Sequence, residues 1–231
     1  MASVTDATPV RRVSVLQSDN KGLDSTDSGP SSSTTVDTTL CAPRTDMVTA
    51  FNPLDGIQGL TQLQVKALML QIGYSLTTAN YNAIDSYNRI GKYLLNSASL
   101  VNKLYIKEDY FETYGNQGQN AALHLPMAWT GKNSIASLTD FFAATQIQES
   151  IMYQLLAEYY DDLVRNNGVK SNDLPGTVMG MLFVAHMSST SEAQQWRAKG
   201  TGVDVSGTKL GTYYGLGRYA GTVLSSPTGI L

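Results

Sequence analysis

The sequence predicts a mainly α domain that follows a low-complexity N-terminal arm. Three observations carry this. A capping box opens an apolar-periodic segment at Thr61, a broad apolar stripe at helical spacing runs from Thr139 to Val164, and no period-two alternation is sustained. The 231 residues are 42% hydrophobic, enough to close a core in one substantial domain.

The boundary falls at residues 46/47. Residues 1–46 read as the arm: Ser and Thr fill 11 of the 22 positions from Ser18 to Thr39, and no aromatic residue occurs from Met1 to Thr49. Such a segment buries too little apolar area to offset an ordering cost of about 1–2 kcal/mol per residue. Within it, Val10 to Leu16 alternate well enough to add one strand to a partner's sheet.

Residues 47–231 read as the domain. In Thr61-Gln62-Leu63-Gln64, the Thr61 hydroxyl and the Gln64 amide cap each other's backbone, and Leu63, Ala67, Leu70 and Tyr74 follow at helical spacing. That helix is expected to end at or just after Tyr74. A loop follows, with at most a small hairpin after Asn80, and Gly91 suits a tight turn before Tyr93. A short helix is expected from Ser97 to Leu104. Residues 107–135 carry Gly115, Gly118, Pro126 and Gly131 and read as loop-rich. The strongest helix is expected over 139–164, where Ala144, Ile147, Ile151 and Leu155 form a stripe widened by Met152, Leu156, Tyr159 and Leu163. Asn166, Asn167 and Gly168 stop it, and Pro175 suits the first turn of the next helix. Ser191-Glu192-Ala193-Gln194 reads as a second capping box. Residues 200–211 read as a loop, and a last short helix or turn pair holds Tyr213, Tyr214 and Tyr219.

Several function classes find no support. Charged residues are 15% of the chain and the net charge is −3, without the clustered Lys and Arg that nucleic acid demands. Arg11 and Arg12 are an isolated basic pair. No apolar run approaches the roughly 20 residues of a membrane span, and no cationic start leads into an apolar stretch, so neither a membrane span nor a secretory signal is expected. Cys41 is the only cysteine, which excludes an internal disulfide and a thiolate metal site. His124 and His186 sit far apart, outside any ligand spacing, and read as structural histidines. No cofactor is expected.

One group of residues is more specific. Ile72 to Tyr81 read Ile-Gly-Tyr-Ser-Leu-Thr-Thr-Ala-Asn-Tyr, and Gly91-Lys92-Tyr93-Leu94 follow. Further on come Trp129-Thr130-Gly131-Lys132, Glu149, Gly180-Met181-Leu182 with Ala185-His186, Trp196, Asp204 to Thr208, and Tyr213-Tyr214. Over about Leu60 to Ala220 this ordered series resembles the lysozyme-like lytic transglycosylase domains carried by virion proteins of tailed phages, especially contractile-tailed ones. The resemblance implies a lysozyme-like helical fold, a cleft for glycan, and a general-acid Glu after the Ser that ends the first helix. Leu76 occupies that slot. Leu94 replaces the Gln of Gly-x-Tyr-Gln, Arg89 stands where an aromatic residue is usual, and Thr78-Ala79 replace a small Gly-rich pair.

Glycoside cleavage needs a carboxylic acid to protonate the leaving oxygen, and leucine has no proton to give; lysozyme is the reference example of that principle. The substitutions therefore imply a degenerate site, and with it a structural baseplate or tail protein of a phage particle, assembled in the host cytoplasm. Its partners would be other tail or baseplate proteins, reached through the arm and the domain surface. Two further readings stay open on the sequence. One is a virion-associated peptidoglycan-cleaving enzyme with a displaced acid, for which Asp85 is the stand-in, Glu149 reads as a structural contact on the long helix, and Glu108 and Glu112 read as solvent-facing. The other is a peptidoglycan- or glycan-binding module in which Tyr81, Tyr93 and Trp129 stack on sugars, against the alternative that they pack in the core.

Overall fold

In a computed structural model, residues 57–114 and 120–225 are described, and they fall in one unit. The N-terminal arm, with its strand-like stretch, its basic pair and Cys41, lies outside the described residues. The described part is helical: α1 (Gln62–Thr77), α2 (Ser97–Asn102), α3 (Glu108–Tyr114), α4 (Leu138–Ala143), α5 (Thr145–Arg165), α6 (Pro175–Met187), α7 (Thr190–Lys199) and α8 (Leu210–Ser225). Among the described residues β-pairing is limited to isolated antiparallel bridges, of which Ile84–Ile90 and Ile90–Leu95 form the small hairpin expected after Asn80. No described helix is long and apolar enough to cross a membrane.

The Thr61 capping box forms as read, with Gln64 N to Thr61 Oγ1 at 3.3 Å and Thr61 N to Gln64 Oε1 at 2.8 Å. The inward face of α1 differs from the reading: Val65, Leu68, Met69 and Ile72 are buried, whereas Leu63 and Tyr74 are 54% and 68% exposed. The helix also runs one turn further, to Thr77, before Thr78 enters the left-handed region.

The helix expected over 139–164 is two helices, and its apolar stripe lies on the second. Ala144, at ψ 61°, breaks the continuity. At the break the Phe141 carbonyl accepts from Ala144 N at 3.2 Å and from Gln148 Nε2 at 3.0 Å, so it is satisfied without the amide of a continuing helix. Downstream, α5 buries Gln148, Ile151, Met152, Leu155, Leu156 and Leu163.

α6 is apolar all round, with nine of its residues from Val178 to Met187 buried, and it forms the centre of the core. Pro175 begins it, as expected. The cap of the next helix, read at Ser191, lies two residues earlier and lacks the reciprocal bond of a capping box. Ser189 is the cap, its hydroxyl accepting from Glu192 N at 3.1 Å. The C-terminal segment is one helix of 16 residues, not a turn pair. Its glycines lower helix propensity, and packing against α6 restores the balance. A Cβ on Gly217 would meet the Met179 carbonyl oxygen at 2.6 Å, and one on Gly221 would meet Gly176 Cα at 2.7 Å. The loop-rich stretch contains α3 and three short 3₁₀ turns, at Ala121–His124, Pro126–Ala128 and Lys132–Ser134.

Candidate functional site

The residues singled out by sequence gather around the end of α1, the loop 78–96 and the first turns of α5. Leu76 lies on the last turn of α1, half-buried and packed against the core. Thr77 Oγ1 lies 2.9 Å from the Lys92 carbonyl oxygen and joins the helix end to the loop. Thr78 (φ 53°) and Ala79 (φ 61°) both take the left-handed conformation that favours glycine. Gly91, at φ 76°, is required twice over: its backbone needs the left-handed region, and a Cβ there would collide with Gln148 Oε1. The open space lets Gln148 Oε1 accept from Lys92 N at 2.9 Å while its Nε2 reaches the Tyr81 carbonyl at 3.1 Å.

This brings Lys92 inward. Its side chain is only 4% exposed, and Nζ donates to Glu149 Oε1 at 2.7 Å. The same carboxylate oxygen accepts from Tyr81 OH at 2.6 Å, and Oε2 accepts from Tyr93 OH at 2.5 Å. The Lys92 ammonium also lies over both rings, 5.0 Å from the Tyr81 centroid and 4.9 Å from that of Tyr93. Burial first, then the Glu149 carboxylate, pushes the Tyr81 phenol above its ordinary range. Burial and the Glu149 charge do the same more strongly at Tyr93. Both tyrosines therefore stay protonated as donors. Glu149 is thus a threefold acceptor inside a closed cage, which agrees with the structural contact expected of it.

Asp85 is no freer. Asp85 Oδ1 accepts from Tyr87 N at 2.9 Å and Arg89 N at 2.8 Å, and Oδ2 accepts from Arg89 Nε at 2.7 Å. The proposed stand-in acid is a turn-forming residue paired with Arg89. Glu108 and Glu112 are exposed on α3, as expected.

The candidate sugar platforms separate. Tyr93 is fully buried, and Trp129 is 4% exposed, with Nε1 donating to the Leu123 carbonyl at 3.2 Å and its ring 5.6 Å from that of Phe141. Neither ring has a face open to a sugar, so both are corrected to core residues; each carries a polar tip that found an internal partner. Tyr81 alone reaches the surface, at a shallow depression shared with Asn80, Asn82, Thr139 and Phe142. Leu94 and Arg89 line a different cavity, of about 270 Å³, and Leu76 lines neither. Residues 76, 89 and 94 therefore do not face one described cleft.

His186 Nε2 lies 2.7 Å from the Tyr93 carbonyl oxygen, which only accepts, so Nε2 carries the hydrogen and Nδ1 is the bare nitrogen. Nδ1 is buried and has no partner. Burial, with Arg89 nearby, pulls the ring down to about 4, so the imidazole is neutral at pH 7. His124 is exposed, and no group of three or more metal-ligating side chains is found among the described residues.

Lys92 and Gln148 are the contributors that sequence reasoning missed. Gln148 had a signal: it lies on the face of α5 shared by Ala144, Ile151 and Leu155, where an amide must find internal partners. Lys92 had none, since the middle position of Gly-x-Tyr says nothing about direction. Comparison of the chain with protein-family models, curated proteins and solved structures finds no match.

Proposed function

We propose that this chain is a non-catalytic structural protein of a tailed-phage particle, a baseplate or tail component that uses a degenerate transglycosylase-like helical domain as an assembly module. The observation that carries the non-catalytic part is the state of the carboxylates. The acid slot holds Leu76, packed against the core. Of the four carboxylates weighed as stand-ins, Asp85 is tied to Arg89, Glu149 is enclosed by Tyr81, Lys92 and Tyr93, and Glu108 and Glu112 are exposed on α3. A general acid needs a proton to give and reach to the leaving oxygen. None of the four combines the two. The particle assignment is supported by the sequence resemblance, and the arm is the segment assigned to neighbours.

The test has two arms. Purified protein on a peptidoglycan zymogram is expected to leave no clearing; clearing that disappears in Asp85→Asn would overturn the non-catalytic reading. Particles assembled with residues 1–46 deleted are expected to lose this protein or fail to mature, and normal particles would remove the assembly role of the arm.

A further inference from the structure

The cavity beside Leu94 has an electrostatic character that the transglycosylase resemblance does not imply. It is walled by the loop 87–96, the first turn of α2, the end of α6 and Val205. None of its described lining residues is acidic, and Arg89 is its one cation. The Arg89 side chain is 13% exposed. Its Nε is spent on Asp85. Its two Nη groups have no hydrogen-bond partner among the described residues. A guanidinium presents more than one donor edge, so the Asp85 contact leaves the terminal edge unoccupied and suited to a planar two-oxygen acceptor.

The neighbours favour an anion as well. Asn96 uses Oδ1 to cap Ser99 N at 2.8 Å, which leaves its amide NH₂ as a further donor in the lining. His186, in the same lining, is neutral at pH 7 and contributes no cation, so Arg89 carries the charge alone. Leu94, Phe111 and Val205 supply apolar wall. The volume, about 270 Å³, lies just under the usual range of about 300–1,000 Å³ for small-molecule sites and suits a group of amino-acid size.

We infer that this cavity binds a small carboxylate with an apolar stem, held end-on by the Arg89 Nη groups and assisted by Asn96. The group would be a free small acid or the C-terminal carboxylate of a peptide. The inference stands on the cavity and is independent of the virion reading.

The probes are N-acetyl-L-leucine and its amide, titrated into the full chain by calorimetry or by chemical-shift change. The acid is expected to bind with a millimolar or tighter constant, and the amide at least tenfold more weakly. Arg89→Gln is expected to abolish binding. Because that change also releases Asp85, a second variant is needed. Ala98→Asp adds a carboxylate at an exposed lining position on the first turn of α2, where helices tolerate acids well. It is expected to weaken the acid at least tenfold, leave the amide unchanged and preserve the melting temperature. N-acetyl-Ala-Ala-Leu with a free C-terminus separates the sources: binding as tight as N-acetylleucine assigns the site to a chain end, and loss of binding assigns it to a free small acid. Absence of acid binding, equal binding of acid and amide, or an Ala98→Asp variant that binds the acid normally would each overturn the inference. Sulfate displacing the acid at equal concentration would overturn its carboxylate character.

Discussion

The α6–α8 pair and the loop 78–96 both bring chain segments into close approach, and they do it by opposite means. Between the helices, glycines remove the obstacle: Gly176, Gly180, Gly217 and Gly221 leave no side chain where one backbone meets the other. The loop removes little and compensates instead. It holds Thr78, Ala79, Asn88 and Leu94 at positive φ, and it buries a lysine. The helix pair breaks one local rule, helix propensity, and only at its glycines. The loop breaks several and is held by the cage around Glu149. Rule-breaking of this kind concentrates where a fold once served, or now serves, a site.

The largest test removes the cage. Glu149→Ala leaves Lys92 buried without its counter-ion, which is expected to cost about 3–5 kcal/mol in denaturant unfolding. Lys92→Met combined with Glu149→Leu removes both charges and is expected to recover most of that loss. A double variant as unstable as the single one would mean that the tyrosine contacts, not the ion pair, hold the loop.

The second test addresses the helix pair, and its sign decides. Gly217→Ala places a methyl against the Met179 carbonyl oxygen and Gly180 Cα, both backbone atoms that move only with the helix. It is expected to destabilise by about 1–3 kcal/mol despite the better helix propensity of alanine. Gly215 is the control, since a Cβ there meets nothing within 4 Å. Gly215→Ala is expected to stabilise by about 0.5–1 kcal/mol. Two stabilised variants would show that the α6–α8 contact is looser than its geometry.

The same contrast explains what was legible in the sequence. Two helix starts were readable, because their effects are local: Thr61 and Pro175 act as expected, whereas the cap read at Ser191 is Ser189. The break at Ala144 was not readable, because the Phe141 carbonyl there is satisfied in part by Gln148 reaching back across the turn. α8 was under-read for a related reason, since its glycines look like loop residues until their partner on α6 is known. At the site, Asp85 and Glu149 were the carboxylates that the sequence brought forward. Their partners were out of reach, because the direction of Lys92 depends on the left-handed turn at Gly91 and on a glutamine 56 residues away. Tyr93 and Trp129 were ambiguous by nature, as one side chain type serves both core and sugar platform. The separation of Leu76 from the cavity of Leu94 and Arg89 was not legible either, because it depends on how the loop folds.

The smallest expected effect bears on how the loop came to its shape. Thr78 is β-branched and exposed, and it holds φ 53° and ψ 36° at the end of α1. A left-handed residue with a Cβ costs about 1–2 kcal/mol, and glycine gives back part of that gain through its freer unfolded chain. Thr78→Gly is therefore expected to stabilise by about 1 kcal/mol, read as a higher denaturant midpoint with an unchanged slope. Gly217→Ala and Thr78→Gly then make a crossed pair: glycine is needed in the helix interface and wanted at the loop. A stabilised Thr78→Gly would mean that the loop keeps a backbone shaped for glycine, consistent with the small Gly-rich pair that the transglycosylase resemblance places at 78–79. A destabilised one would mean that the threonine fits its conformation, and the argument for an inherited glycine-shaped turn would lose its support.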